Sequence, residues 1–269
     1  MANEIERKRW NDERQVANWY KRERFTDRVT PHVVAALSPK AGERVLDIGA
    51  GGGKLSLAIA GLVGAKGHVT GADISAGMVE WATGRAKEVG TTNVSFLQAD
   101  VQSEPVPGGP FDAATSQFGV MFFDEPTVAF TNIRKQLKPG GRIAFACWQP
   151  AARNTWNAGP VLAPFVPRPP APPEGKSATG PFALGEPRAT RALLTGAGFV
   201  DIQRVPKQLV VVTPGESIAD EQQVVSMGVP TEQQDAARAA MAKHYARFLR
   251  SDGLSRFELN IQIFSARRG

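Results

Sequence analysis

Residues 44–53 read Arg44-Val45-Leu46-Asp47-Ile48-Gly49-Ala50-Gly51-Gly52-Gly53. Val45, Leu46 and Ile48 suit a buried parallel strand. The glycines after them let the backbone turn sharply and approach a ligand with no Cβ in the way. Residues 54–60, Lys-Leu-Ser-Leu-Ala-Ile-Ala, read as a helix whose N-terminal amides would face that loop. A strand, a glycine loop and a helix together predict a nucleotide-like ligand at this point of the chain.

Spacing separates the ligand classes. A phosphate-cradling NTPase loop needs Gly-x-x-x-x-Gly-Lys-Ser/Thr. Here Gly53-Lys54 is followed by Leu55, and Ile48 stands at the first glycine position, so that reading fails. A dinucleotide fingerprint, Gly-x-Gly-x-x-Gly, meets Lys54 or Ser56 at its last position, which weakens a nicotinamide oxidoreductase without excluding it.

Working outward, strand and helix patterns alternate from 43 to 148. Strands are expected at Val69–Asp73, Val94–Leu97, Phe111–Ser116 and Arg142–Trp148. Ser75 is placed to cap a helix carrying Met78, Ala82, Ala86 and Val89 at helical spacing. Asp124 is expected to cap another running through Gln136. Such alternation argues for a parallel sheet with helices on both faces. The first 37 residues look helical, with Pro31 opening a segment from His32 to Leu37. Residues 150–187 are proline-rich, including Pro167, Pro169, Pro170, Pro172 and Pro173. A helix at Arg188–Ala197 and a strand within Phe199–Val212 follow. Thr231-Glu232-Gln233-Gln234 reads as a capping box opening a helix to about Arg250. Phe257, Leu259, Ile261 and Ile263 then alternate with polar residues as a last strand.

The bulk properties bound the function. A chain of 269 residues permits one large domain, or one domain with an added lid. No uncharged apolar window of about 18 residues predicts a membrane span, and the charged N-terminus does not resemble a signal peptide. One cysteine, Cys147, excludes an internal disulfide and a cysteine-cluster zinc site; the cytoplasm is the expected compartment. The formal charge of +6 could suggest nucleic acid. However, the bases of residues 1–28 alternate with acids, as on a solvated helix face, and no nucleic-acid partner is expected.

With Asp47 just before it, the glycine loop resembles motif I of the class I S-adenosylmethionine-dependent methyltransferases. The resemblance implies a Rossmann-like, three-layer α/β/α fold with a seven-stranded, mostly parallel sheet ending in a hairpin-like pair. Residues 1–40 would form a helical lid. Residues 41–269 would form the methyltransferase domain, with lid insertions near 150–187 and 214–252. It implies S-adenosyl-L-methionine as cofactor and S-adenosyl-L-homocysteine as product. Gly49, Ala50 and Gly51 would carry the carboxypropyl tail, the Gly49 backbone with Ser116 and Gln117 would serve the amino end, and Asp47 would also belong to the cofactor site. Asp73 would accept from the ribose diol, since one carboxylate can accept from both hydroxyls. Ile74 and Met78 would flank adenine, with Asp100 and Val101 at its edge. Taken singly, Asp73 could be only a helix cap, Asp100 a loop residue and Met78 core; it is their joint placement after successive strands that is specific.

Further stretches resemble a large bacterial group related to the ubiquinone/menaquinone methyltransferases and to small-molecule methyltransferases of secondary metabolism. These include Trp10-Asn11, Phe118 to Phe123, Leu137 to Arg142, Cys147 to Pro150, Asn154-Thr155-Trp156 and Gly180-Pro181-Phe182. The expected acceptor is a small hydrophobic or aromatic metabolite, methylated on oxygen or carbon. Phe118, Phe122, Trp156 and Tyr245 are candidate acceptor contacts, and His244 and His32 candidate bases. A monomer or homodimer is expected. A non-methylating role on the same cofactor fold, such as a cyclase, and RNA methylation stay open as alternatives.

Overall fold

The computed structural model describes residues 3–166, 172, 174, 176–214, 224, 225 and 227–269. Pro167, Pro169, Pro170 and Pro173, and part of the insertion near 214–252, lie outside the described residues. Seven strands form one sheet in the order β3-β2-β1-β4-β5-β7-β6. They are β1 (Arg44–Ile48), β2 (His68–Asp73), β3 (Val94–Gln98), β4 (Phe111–Gln117), β5 (Leu137–Trp148), β6 (Phe199–Pro214) and β7 (Leu254–Arg268). The first five are parallel, and β7 runs antiparallel between β5 and β6. The expected seven-stranded, mostly parallel sheet and its terminal hairpin-like pair are therefore present.

Burial explains the strand pattern. In β1, Val45, Leu46, Asp47 and Ile48 are all buried, because a parallel sheet with helices on both faces leaves neither side of a central strand in water. Helix α4 (Lys54–Val63) buries Leu55, Ile59 and Val63, and α5 (Ala76–Glu88) buries Met78, Ala82 and Ala86, an apolar stripe at helical spacing. Ser75 caps α5 by accepting from the Met78 amide at 3.3 Å. Phe130 on α6 (Pro126–Gln136) packs 5.5 Å from Phe145, which stacks 5.6 Å from Phe264 of β7, all centroid to centroid. These three fully buried rings join a helix to the parallel and antiparallel parts of the sheet.

Before the sheet come α1 (Glu4–Trp10), α2 (Glu13–Thr26) and α3 (Thr30–Leu37). Between β5 and β6 lie a short α7 (Gly159–Leu162) and α8 (Pro187–Gly196), and between β6 and β7 lies α9 (Gln234–Ala246). Helix α9 buries Ala237, Met241 and Tyr245 against Ala158, Leu162, Val224 and Val229 in a second, smaller core.

Several local expectations differ. Asp124 does not cap α6: its carboxylate accepts from Gln102 Nε2 at 2.7 Å and Lys176 Nζ at 2.5 Å, and Glu125 occupies the N-cap without a side-chain bond. Two side-chain donors have outcompeted the backbone amides. The capping box at Thr231 is not made either, because the chain enters from Pro230 through a 3-10 turn over Thr231–Gln233. Helix α9 stops at Ala246 rather than Arg250, since Leu249 bridges Ser255 and the Arg250 amide donates to Leu254 O. Strand β5 begins at Leu137, paired with Phe111, ahead of the expected Arg142.

Replacing Phe145 with Ala should cost about 3–5 kcal/mol, as for buried aromatic truncations generally. Urea unfolding should show a lower midpoint with an unchanged m-value.

Candidate functional site

The carboxyl ends of β1, β2, β3 and β4 meet along one edge of the sheet, where the strand order reverses between β1 and β4. Ligands of open α/β sheets bind in such a crevice. Here the loops after β1 and β4 run together: a Cβ built on Gly49 would lie 2.7 Å from Gly119 Cα. Gly49 also has φ +65°, so glycine is required there on both counts. Ser116 fixes the crossing, donating to Ile48 O at 2.7 Å and accepting from the Gly119 amide at 3.1 Å.

Above this crossing lies a cavity of about 240 Å³. Of the candidate cofactor residues it is lined by Gly49, Gly51, Asp73, Ile74, Met78, Asp100, Val101 and Gln117, and of the candidate acceptor residues by Phe118 and Phe122. A smaller chamber shares Gly49, Gly51 and Gln117 with it and adds Asp47, Ala50, Gly52 and Lys54. Ser116 is fully buried beneath the loops and lines neither.

The carboxylates form an acidic inner surface. Asp73 Oδ2 accepts from the Gly51 amide at 2.8 Å and Oδ1 from the Ser75 amide at 2.9 Å, so β2, the glycine loop and α5 meet on one side chain. Burial raises its pKa against these amide bonds. Asp100 is likewise raised by burial, opposed by the Gln102 amide and by Arg7. The Arg7 guanidinium stands 3.9 Å from Asp100 Oδ2, beyond hydrogen-bonding reach, and that oxygen has no donor. Burial pushes Asp47 to about 7, against the hydrogen bond from Ser56 at 2.6 Å, and its Oδ1 also lacks a donor. Two buried carboxylate oxygens without partners, beside a glycine cradle, suit a ligand bringing amino and hydroxyl donors.

Aromatic rings form the remaining wall. Phe118 stacks on Trp148 at 4.4 Å with its backbone held at φ +65°, and Trp10 meets Phe122 edge-on at 5.3 Å and Trp19 at 6.1 Å. A non-glycine residue in that backbone region is uncommon and costs on the order of 1–3 kcal/mol. It turns the Phe118 ring across the mouth of β4.

Other candidates lie elsewhere. Trp156 packs behind Trp148 at 4.9 Å and donates to Asn154 Oδ1 at 3.0 Å, outside the cavity lining. Tyr245 is buried in the smaller core. His244, beside it, has its pKa lowered by burial and by Arg247, against bonding to the Trp156 and Thr155 backbone. His32 sits half-exposed on α3. Neither histidine is among the cavity-lining residues.

The charge pattern of the first 28 residues conceals what the structure places over the cavity. Asn3, Glu6, Arg9 and Trp10 of the first turns, with Trp19 and Thr26 of α2, all line it. Glu6 is 2% exposed and accepts from the Trp10 indole at 3.0 Å and the Thr179 hydroxyl at 2.6 Å; Glu23 is 7% exposed. These are not solvated faces. The available signal was the spacing 3-6-10 and 19-23-26, one stripe per helix.

Residues 45–141 match the family model described as a methyltransferase domain. A demethylmenaquinone methyltransferase from Clavibacter sepedonicus is 42% identical over 108 residues, 40% of this chain and 42% of that protein. The aklanonic acid methyltransferase DauC from Streptomyces sp. (strain C5) is 35% identical over 130 residues, 48% of this chain and 59% of that protein. The chain thus spans about half the length of these relatives. Among solved structures, the [4+2]-cyclase SpnF superposes with a TM-score of 0.56 at 23% identity, over 90% of this chain and 80% of that one, a likeness of fold.

Two measurements probe the site. Gly49→Ala should lower the melting temperature and abolish ligand binding, because its Cβ meets backbone that cannot move aside. Asp47 makes the ligand-free protein lose stability as pH rises. Below pH about 4 both states are protonated; between there and about 7 the unfolded chain alone gives up the proton, at a cumulative cost of roughly 4 kcal/mol. Melting temperatures across that range should fall for the wild type more steeply than for Asp47→Asn. Strand order, glycine loop and matched segment agree: residues 45–141 of this chain are similar to a methyltransferase domain.

Proposed function

We propose that this protein transfers a methyl group from S-adenosylmethionine to a small hydrophobic or aromatic metabolite, on oxygen or carbon. One observation carries the reading. The same cavity is lined both by Asp73, Ile74, Met78, Asp100 and Val101 and by Trp10, Phe118, Phe122 and Trp148. It therefore offers an adenosyl site and an aromatic acceptor site in continuity.

The cofactor supplies an activated methyl on a sulfonium, released by in-line displacement. The chain's own residues have the task of alignment, which can contribute several kcal/mol. In this reading Asp73 accepts from the ribose hydroxyls, and Gly49, Ala50 and Gly51 bring backbone against the amino-acid tail. Asp100 and Val101 meet the adenine edge, and Ile74 and Met78 its faces. Asp47 and Gln117 serve the amino end, with Ser116 holding the loop from below. The acidic surface suits a cationic donor, while the rings exclude water and orient the acceptor. Residues 1–40, with the segments near 150–187 and 214–252, act as the lid that selects the acceptor. A small-molecule partner rather than nucleic acid or membrane fits a cavity of this size; among the described residues no helix is long and apolar enough to cross a membrane. We further propose a cytoplasmic protein working as a monomer or homodimer.

The two relatives carry names of methyltransferases for a quinone precursor and a polyketide acid, which favours transfer to an aromatic or enolic small molecule. None of the three histidines lines the cavity, so the reading rests on positioning rather than on a histidine base. The cyclase fold neighbour makes the decisive readout chemical.

Calorimetry should show S-adenosylmethionine or S-adenosylhomocysteine binding with roughly micromolar affinity. Asp73→Ala should weaken it by about tenfold or more through loss of charged hydrogen bonds. Incubation with aromatic acceptors should release S-adenosylhomocysteine. A protein that binds neither compound, or consumes an acceptor while leaving the methyl donor intact, would contradict the proposal.

A further inference from the structure

Helix α2 lies along the glycine loop with its residues in step. Trp19 Nε1 is 3.2 Å from where a Cβ on Gly51 would stand. One turn on, Glu23 faces Gly52, and Asp27 meets Lys54 Nζ with both oxygens at 2.8 Å. The centre of this contact is Arg85 of α5. Its guanidinium bonds both Glu23 oxygens, at 2.9 and 2.8 Å, and also donates to Gly52 O. The Trp81 ring lies beneath it at 4.5 Å, and Lys54 Nζ adds a 3.3 Å contact to Glu23. A Cβ on Gly52 would meet Glu23 Oε1 and Trp81 at 2.8 Å and Arg85 at 2.9 Å. Unlike Gly49, Gly51 and Gly53, Gly52 has no positive φ. It is glycine because this clasp sits directly on it.

We propose that Arg85, with Glu23, is a positioning residue for cofactor binding: its guanidinium seats α2 on the glycine loop and holds Trp19 over Gly51. The fork is planar and largely buried, so lysine cannot replace it. The clasp holds the loop at Gly52, whereas Asp73 holds it at Gly51. It therefore governs how firmly the cofactor site is closed and leaves the transfer step itself alone. The inference rests on the assignment of this loop to the adenosyl cofactor.

The test compares wild type, Arg85→Lys, Glu23→Gln and the double variant, with Lys138→Met breaking the remote Lys138–Asp112 pair as control. S-adenosylhomocysteine affinity and release rate are measured, together with amide exchange over residues 13–26 in the ligand-free protein. Each clasp variant should raise Kd about tenfold or more, mainly through faster release. The double variant should be no weaker than the worse single one. Exchange over 13–26 should quicken, and kcat at saturating cofactor should stay within about twofold, which a general loss of folding would not allow. Variants that bind as tightly as wild type would overturn the clasp alone. A wild type that binds neither S-adenosylmethionine nor S-adenosylhomocysteine would overturn the functional reading and this proposal with it.

Discussion

Two backbones pass within contact distance where β1 and β4 end, and the architecture above the sheet follows from it. Gly49 and Gly119 touch because β1 and β4 are hydrogen-bonded neighbours whose exits both turn over the same edge. With side chains there, the exits would be wedged apart and Asp73 would lose its amide partner on Gly51. The close crossing lets one carboxylate tie β2, the glycine loop and α5 together. A concave, acidic floor is the outcome, and its depth is set by missing Cβ atoms rather than by any large residue.

Much of this was legible in the sequence because strands of a parallel sheet are apolar throughout and end at punctuating glycines. Val45, Leu46 and Ile48 announced β1, and Asp73 and Asp100 stood after the strands where a crevice would form. What was not legible depended on competition between partners. Asp124 has the residue type and place of a helix cap, yet Gln102 and Lys176 claim its oxygens. Thr231 opens a plausible capping box, but Pro230 directs the chain into a 3-10 turn. Local pattern gives the possible bonds of a side chain, and the tertiary structure decides among them.

The N-terminal helices show a different failure. Alternating acids and bases describe a solvated helix only when their partners are in water. Glu6 and Glu23 find theirs inside the molecule, in Trp10, Thr179 and Arg85, so a polar-looking segment forms the roof of an apolar cavity. Helical spacing of Trp10 and Trp19 with those glutamates was the readable sign. Conversely, Tyr245 joins Ala237 and Met241 in a satellite core, and His244 is half-buried beside it.

Phe118 carries a consequence of its own. Its left-handed backbone would be relieved by glycine or asparagine, but either exchange would remove a buried ring, and losing that packing costs more than the strain returns. The stack on Trp148 holds the ring in that conformation, so one side chain is both core and cavity wall. Relaxing strained positions to gain heat resistance would therefore misfire at this one, where the exchange removes a core contact and a cavity wall together.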